Sequence, residues 1–123
     1  MKVKSYKELN VWNKGMEIVE HIYEITKGFP QTELYGLACQ MQRAAVSIPS
    51  NIAEGFVRGH TAEYRQYLRT ALGSCAELDT QLIIAAGRNY VADAVVTNLQ
   101  EDIRYESRML INLIKSLSRN AKP

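Results

Sequence analysis

From Tyr64 to Ala85 the apolar residues Tyr64, Leu68, Ala71, Cys75, Leu78, Leu82 and Ala85 follow one another at spacings of four and three without a break. A strand would place its core residues at every second position, so this period demands a helix. Three heptads of it give the a/d seam of a left-handed helix bundle. A segment with this pattern is stable only if other helices cover the seam, and the rest of the chain must supply them.

Glycine and proline mark where those helices begin and end. They cluster at Gly28-Phe29-Pro30, at Gly55 to Gly59 and around Gly87-Arg88-Asn89, and they divide the chain into four segments. Each has helical periodicity, and none alternates as a strand does. The helices are expected at about 9–27, 32–57, 61–87 and 92–118. Thr32 is the expected N-cap of the second helix and Thr61 of the third. Pro49 falls inside the second apolar stripe, Leu34, Leu37, Met41, Ala45, Ile48, Ile52 and Phe56. It lacks a backbone donor and crowds the preceding turn, so an interruption or kink is expected there. In the fourth stripe, Val96, Leu99, Ile103, Leu110, Leu113 and Leu117, the one seam position that is not apolar is Glu106. It is expected to find a partner or to rotate out of the seam. Short loops join antiparallel neighbours, so the expected fold is all-α: an up-down-up-down four-helix bundle filling a single domain, residues 1–123.

Composition excludes several classes. Of 123 residues, 46% are apolar and 23% charged, as in a folded soluble domain. The longest uncharged run, Ala44–Ala53, is too short to cross a bilayer. Met1–Gly15 has lysines but no apolar stretch of a signal peptide, and two cysteines make no disulfide framework, so a cytoplasmic protein is expected. Neither histidine is preceded by glutamate at the Glu-x-x-His spacing of di-iron bundles, the residues there being Ile18 and Val57. Cys39 and Cys75 lack neighbours to complete a zinc site, and Gly55-Phe-Val-Arg-Gly59 lacks the Lys-Ser/Thr of a phosphate loop. No catalytic, cofactor-binding or metal-binding residue is expected, and no small-molecule substrate.

Two polar features remain. Arg43, Ser47, Asn51 and Glu54 share one face of helix 2, and Ser74, Glu77 and Gln81, with Thr70, share one face of helix 3. A turn centred near Gly59 sets these stripes opposite one another, with Arg43 facing Glu77 and Ser47 facing Ser74. The expectation is a hydrogen-bonded seam with a partly buried Arg43–Glu77 ion pair. The other feature is charge. In an up-down bundle both termini and the helix 2–3 turn share one end. That end gathers Lys2, Lys4, Lys7, Arg58, Arg65, Lys115, Arg119 and Lys122 against Glu8, Glu54 and Glu63, an excess of +5 in a chain whose net charge is +2. Such polarity suits a phosphate backbone. The candidate nucleic-acid contacts are Lys2, Lys4, Lys7, Arg58, Arg65, Arg119 and Lys122.

The string Ser47-Ile-Pro-Ser-Asn-Ile-Ala-Glu-Gly55 follows Arg43-Ala-Ala-Val. Downstream come Glu63-Tyr64, Tyr67-Leu68, Ala71-Leu-Gly-Ser74, Glu77-Leu78 and Gln81-Leu82, and upstream Leu9-Asn-Val-Trp12 and Phe29-Pro30. From about Tyr6 to Leu117 the chain resembles the four helix bundle protein family, also called 23S rRNA-intervening-sequence proteins. The resemblance implies a bacterial four-helix bundle that assembles into homopentameric rings. A related branch comprises accessory proteins of diversity-generating retroelements, which work with a reverse transcriptase and RNA. It carries no catalytic residue to this chain. The double apolar stripe of helix 1, Trp12, Met16, Val19 and Tyr23 beside Val11, Ile18, Ile22 and Ile25, independently points to self-association. The expected function is that of a non-enzymatic oligomer whose basic end binds RNA or an RNA-associated protein. The alternative is a structural adaptor without nucleic-acid affinity.

Overall fold

The computed structural model describes residues 2–120, with side chains to Ser118. Four helices account for most of it: α1 (Asn10–Thr26), α2 (Leu37–Arg58), α3 (Thr61–Gly87) and α4 (Asp93–Asn120). Two single 3-10 turns, Tyr6–Glu8 and Gln31–Glu33, precede α1 and α2. No strand occurs among the described residues. No helix among them is long and apolar enough to cross a membrane.

The helix boundaries follow from local chemistry. Asn13 Nδ2 donates to the carbonyls of Lys7 and Leu9, both at 3.0 Å, and closes the start of α1. α2 begins at Leu37, later than its apolar stripe suggests. The chain first makes the 3-10 turn at Gln31–Glu33, and Glu33 Oε1 then accepts from the Leu37 N–H at 2.9 Å. Glu33, not Thr32, thus satisfies a free donor of the first turn. That bond and one from Tyr90 hold the Glu33 carboxylate below its usual pKa. α2 then runs through Pro49 as one element and ends at Gly59, whose φ of 79° is the left-handed geometry of a helix C-terminus. His60, not Thr61, precedes α3, and its side chain caps nothing. α3 stops in a Schellman motif. Asn89 takes φ 62°, its N–H bonds to Ala86 O, and the Tyr90 N–H bonds to Ala85 O, both at 3.0 Å.

The heptad seam of α3 is the spine of the core. Leu68, Ala71, Cys75, Leu78, Leu82 and Ala85 are all buried. They share one buried cluster with Met41, Ala45, Ile48 and Ile52 of α2, Ile18 and Ile22 of α1, and Leu99, Ile103 and Leu110 of α4. On α4 the inner position beyond Leu110 is Ile114, with Leu113 and Leu117 packed at the margin. At one end Phe29 and Tyr90 bring the two loops together, with ring centroids 5.3 Å apart. At the other, Tyr6 packs on Trp12 and Phe56, and Phe56 on Tyr64.

Candidate nucleic-acid interface

Of the expected polar seam, Ser47, Asn51 and Ser74 are joined by hydrogen bonds where α2 meets α3. Ser47 Oγ accepts from Asn51 Nδ2 at 2.9 Å and from Ser74 Oγ at 2.8 Å. Asn51 Nδ2 also donates to the Ser47 carbonyl at 2.8 Å, and so ties α2 internally where it meets α3. Here the helices approach closely. A Cβ on Gly55 would stand 2.6 Å from Tyr67 Cβ, so only glycine fits. The remaining members lie elsewhere. Gln81 is buried, and its Nε2 reaches Glu77 at 3.4 Å, but its Oε1 has no partner. Glu54 turns to Arg58 at 3.4 Å. Arg43 and Glu77 are both exposed, and no ion pair among the described residues joins them. The expected pair does not form because both side chains point to solvent from the outer flanks of their helices.

At the basic end the expected contacts divide into two kinds. Arg58 is occupied: it donates to Tyr67 Oη at 2.8 Å and lies over that ring at 5.3 Å. It also pairs with Glu54 at 3.4 Å and Glu63 at 3.7 Å. Tyr67 first, then the two carboxylates, raise its pKa and fix its charge. Lys2, Lys4 and Lys7 are exposed, as is Lys115, and none has a carboxylate within ion-pair distance among the described residues. Arg65 is half-buried, and its Nη1 is shut off from solvent without a partner among the described residues. The Arg119 side chain and Lys122 lie outside the described residues.

Glu106 departs from expectation. It neither rotates out nor finds a partner: its exposure is 0%, and neither carboxylate oxygen has a hydrogen bond. Burial pushes its pKa up to about 8 against a downward pull from Lys14. Lys14 itself is held by Asp102, 3.0 Å away, which also stands 3.6 Å from His21 Nδ1. Among the described residues no group of three His, Cys, Asp or Glu could hold a metal ion.

A family model described as 23S rRNA-intervening sequence protein matches residues 7–112. The chain belongs to this family. The match spans the Ser47–Gly55 string whose serine, asparagine and glycine form the α2–α3 contact above. A solved relative is a protein of unknown function from the S23 ribosomal protein family of Bacteroides thetaiotaomicron VPI-5482. It superposes with a TM-score of 0.79 at 23% identity, over 85% of this chain and 95% of that one. At that identity the likeness is one of fold. No curated protein matches the chain.

Five exposed cations outside the expected basic end, Arg43, Arg69, Arg88, Arg104 and Arg108, have no carboxylate within ion-pair distance among the described residues. Those on α4 were legible as part of a helical row at 104, 108 and 115, but an argument about the ends of the bundle passes over charges on its sides.

Proposed function

We propose that this family member is a non-enzymatic subunit of a homo-oligomer that binds RNA through its phosphates. The observation that carries the reading is that the cations at the basic end are left largely without carboxylate partners among the described residues. Lys2, Lys4, Lys7, Arg65 and Lys115 have no carboxylate partner among the described residues, whereas Arg58 at that end and Lys14 on α1 are held by acids. A surface that leaves its cations unneutralised repels itself and attracts polyanions. An antiparallel up-down-up-down course underlies this placement. It is supported by the Ser47–Ser74 and Asp79–Gln100 pairings and by the meeting of the two loops at Phe29 and Tyr90. A bend of α2 at Pro49 belongs to the same reading, since no N–H is present there to complete the turn.

Self-association is supported by apolar surface on the α1–α2 edge. Tyr35 is 90% exposed, and Met16, Tyr23, Leu34 and Val46 are also open. Tyr23 lines one groove with Val46 and a second with Leu34, so the patch is continuous. Patches of this kind mark interaction sites. The family resemblance supports five copies, and a cytoplasmic location is consistent with an RNA partner.

The test is recovery of nucleic acid on purification from the native host, followed by sequencing, with light scattering for mass. Nuclease-sensitive RNA on a multimer supports the reading. A protein partner retained after nuclease treatment favours an RNA-associated protein instead, and an RNA-free preparation with no RNA affinity favours the adaptor.

A further inference from the structure

The four helices meet in a cycle: α1 touches α2 and α4, α3 touches α2 and α4, and no diagonal pair is in contact. The α1–α2 edge therefore stands opposite the α3–α4 edge. The first carries the apolar patch. The second differs in kind.

On α3, Arg65 and Arg69 are one turn apart and lead into Leu72 and Ala76 along the same flank. On α4, Arg104, Arg108, Ile111 and Lys115 form a row with the same spacing. A groove of about 280 Å³ lies between the helices, lined by Leu72 and Ala76 on one side and Arg104 and Ser107 on the other. Gln100 donates to Asp79 at 3.1 Å and sets the register. Successive turns from that pair bring Ala76 towards Arg104 and Arg65 towards Lys115.

The acids are placed as tellingly as the cations. From Tyr64 to Ala76, α3 has no carboxylate. From Ile103 to Ser118, α4 has only Glu106, which is buried in the core. Among the described residues Asp79 is the one carboxylate that lines the groove, at the end where it accepts from Gln100. Arg65, Arg69, Arg104, Arg108 and Lys115 consequently make no ion pair among the described residues, and Arg65 Nη1 is a buried donor without an acceptor. At 1.5 Å per residue the double row extends about 16 Å. Guanidinium groups match phosphate oxygens in pairs. Contacts to phosphate position a strand without specifying its sequence.

We propose that the phosphate backbone of an RNA strand runs along the α3–α4 edge, held by Arg65, Arg69, Arg104, Arg108 and Lys115. This rests on the RNA reading above and gives it a track: the basic end is where the strand arrives, and the edge is what it follows.

The test compares two variants of equal charge loss in the full chain, using a labelled oligouridine and fluorescence anisotropy. Arg104→Gln/Arg108→Gln alters the edge. Lys27→Gln/Arg88→Gln alters exposed cations near the two loops at the far end. The edge variant is expected to bind about tenfold more weakly or worse at low salt, with a log–log salt slope shallower by about 1.4. The loop variant is expected to stay within about twofold of wild type, since it touches no proposed contact. Arg69→Gln alone should weaken binding in the same direction, and circular dichroism and light scattering should be unchanged throughout. Equal affinities of the edge and loop variants would overturn the edge while leaving RNA binding intact. Absence of binding by the wild type at low salt would overturn the RNA reading itself, and the edge with it.

Discussion

Gly15 of α1 leaves room for Glu106 of α4: a Cβ on the glycine would stand 3.1 Å from Glu106 Oε2 and 3.3 Å from Ile48 Cγ2. Glycine inside a helix costs roughly 0.5–1 kcal/mol relative to alanine. The space it leaves to a buried carboxyl accounts for its place in the middle of α1.

Gly15→Ala is therefore expected to lower thermal stability. Crowding of about 1–3 kcal/mol outweighs the gain in helix propensity. In a Glu106→Ala background the nearer obstruction is gone and Ile48 alone stays tight, so the same substitution should cost less. Thermal unfolding of the four proteins measures the difference; a Gly15→Ala effect that is the same in both backgrounds would contradict the contact.

Glu106 also predicts a pH dependence. Its pKa is about 8 in the folded protein, against 4.5 as the ordinary value. Between those values the native state keeps a proton that the unfolded state has lost, so stability falls as pH rises, by up to about 1.4 kcal/mol per pH unit. The contribution is favourable below about pH 4.5 and fully lost above about pH 8. Denaturant unfolding of wild type and Glu106→Gln across this window should show the excess slope in wild type alone. Glu106→Leu should be the more stable protein at pH 8, because a buried charge without a partner is replaced by apolar contact.

Two glycines of the α2–α3 pair should respond oppositely. A Cβ at Gly55 would meet Tyr67 Cβ at 2.6 Å, a branch point that cannot swing away, whereas a Cβ at Gly73 would meet nothing within 4 Å. Gly55→Ala should destabilise by about 1–3 kcal/mol or more. Gly73→Ala should stabilise by up to about 1 kcal/mol. Chemical denaturation decides, and a neutral Gly55→Ala would show that the helices are not in close approach there.

Burial pushes the Cys75 thiol up to about 12, only partly offset by a hydrogen bond with Ser107. The thiolate is the reactive form. Iodoacetamide at pH 8 should leave Cys75 unmodified in the folded protein and label it once denaturant is added; labelling of Cys75 at the rate of a free thiol would contradict its burial.

Much of the fold was legible because it is written in periodicity. The α3 seam predicted from spacing, Leu68 to Ala85, is the buried seam observed. The start of α2 was not, because it depends on a side chain reaching forward: Glu33 caps Leu37 after a 3-10 turn, and no propensity rule anticipates that bond. The Ser47–Ser74 contact followed from the turn position, but the Arg43–Glu77 pair did not. A register estimate gives which turns face each other and not which way a long side chain points. Glu106 was legible as an oddity in its stripe. That it has no partner depends on what the three other helices place around it. The cations of the α3–α4 edge were in plain view in the sequence, but their significance lies in the carboxylates missing from both helices, which only the pairing of α3 with α4 makes visible.

The most direct measurement is the affinity of the wild-type protein for an unstructured RNA as salt is raised. Single-strand contacts contribute about −0.7 each to the slope of log affinity against log salt, so five engaged cations predict about −3.5. A steep slope of that order, with little difference between RNA sequences, is the predicted result. Binding that does not weaken between about 50 and 200 mM salt, or no binding at the lower value, would contradict it.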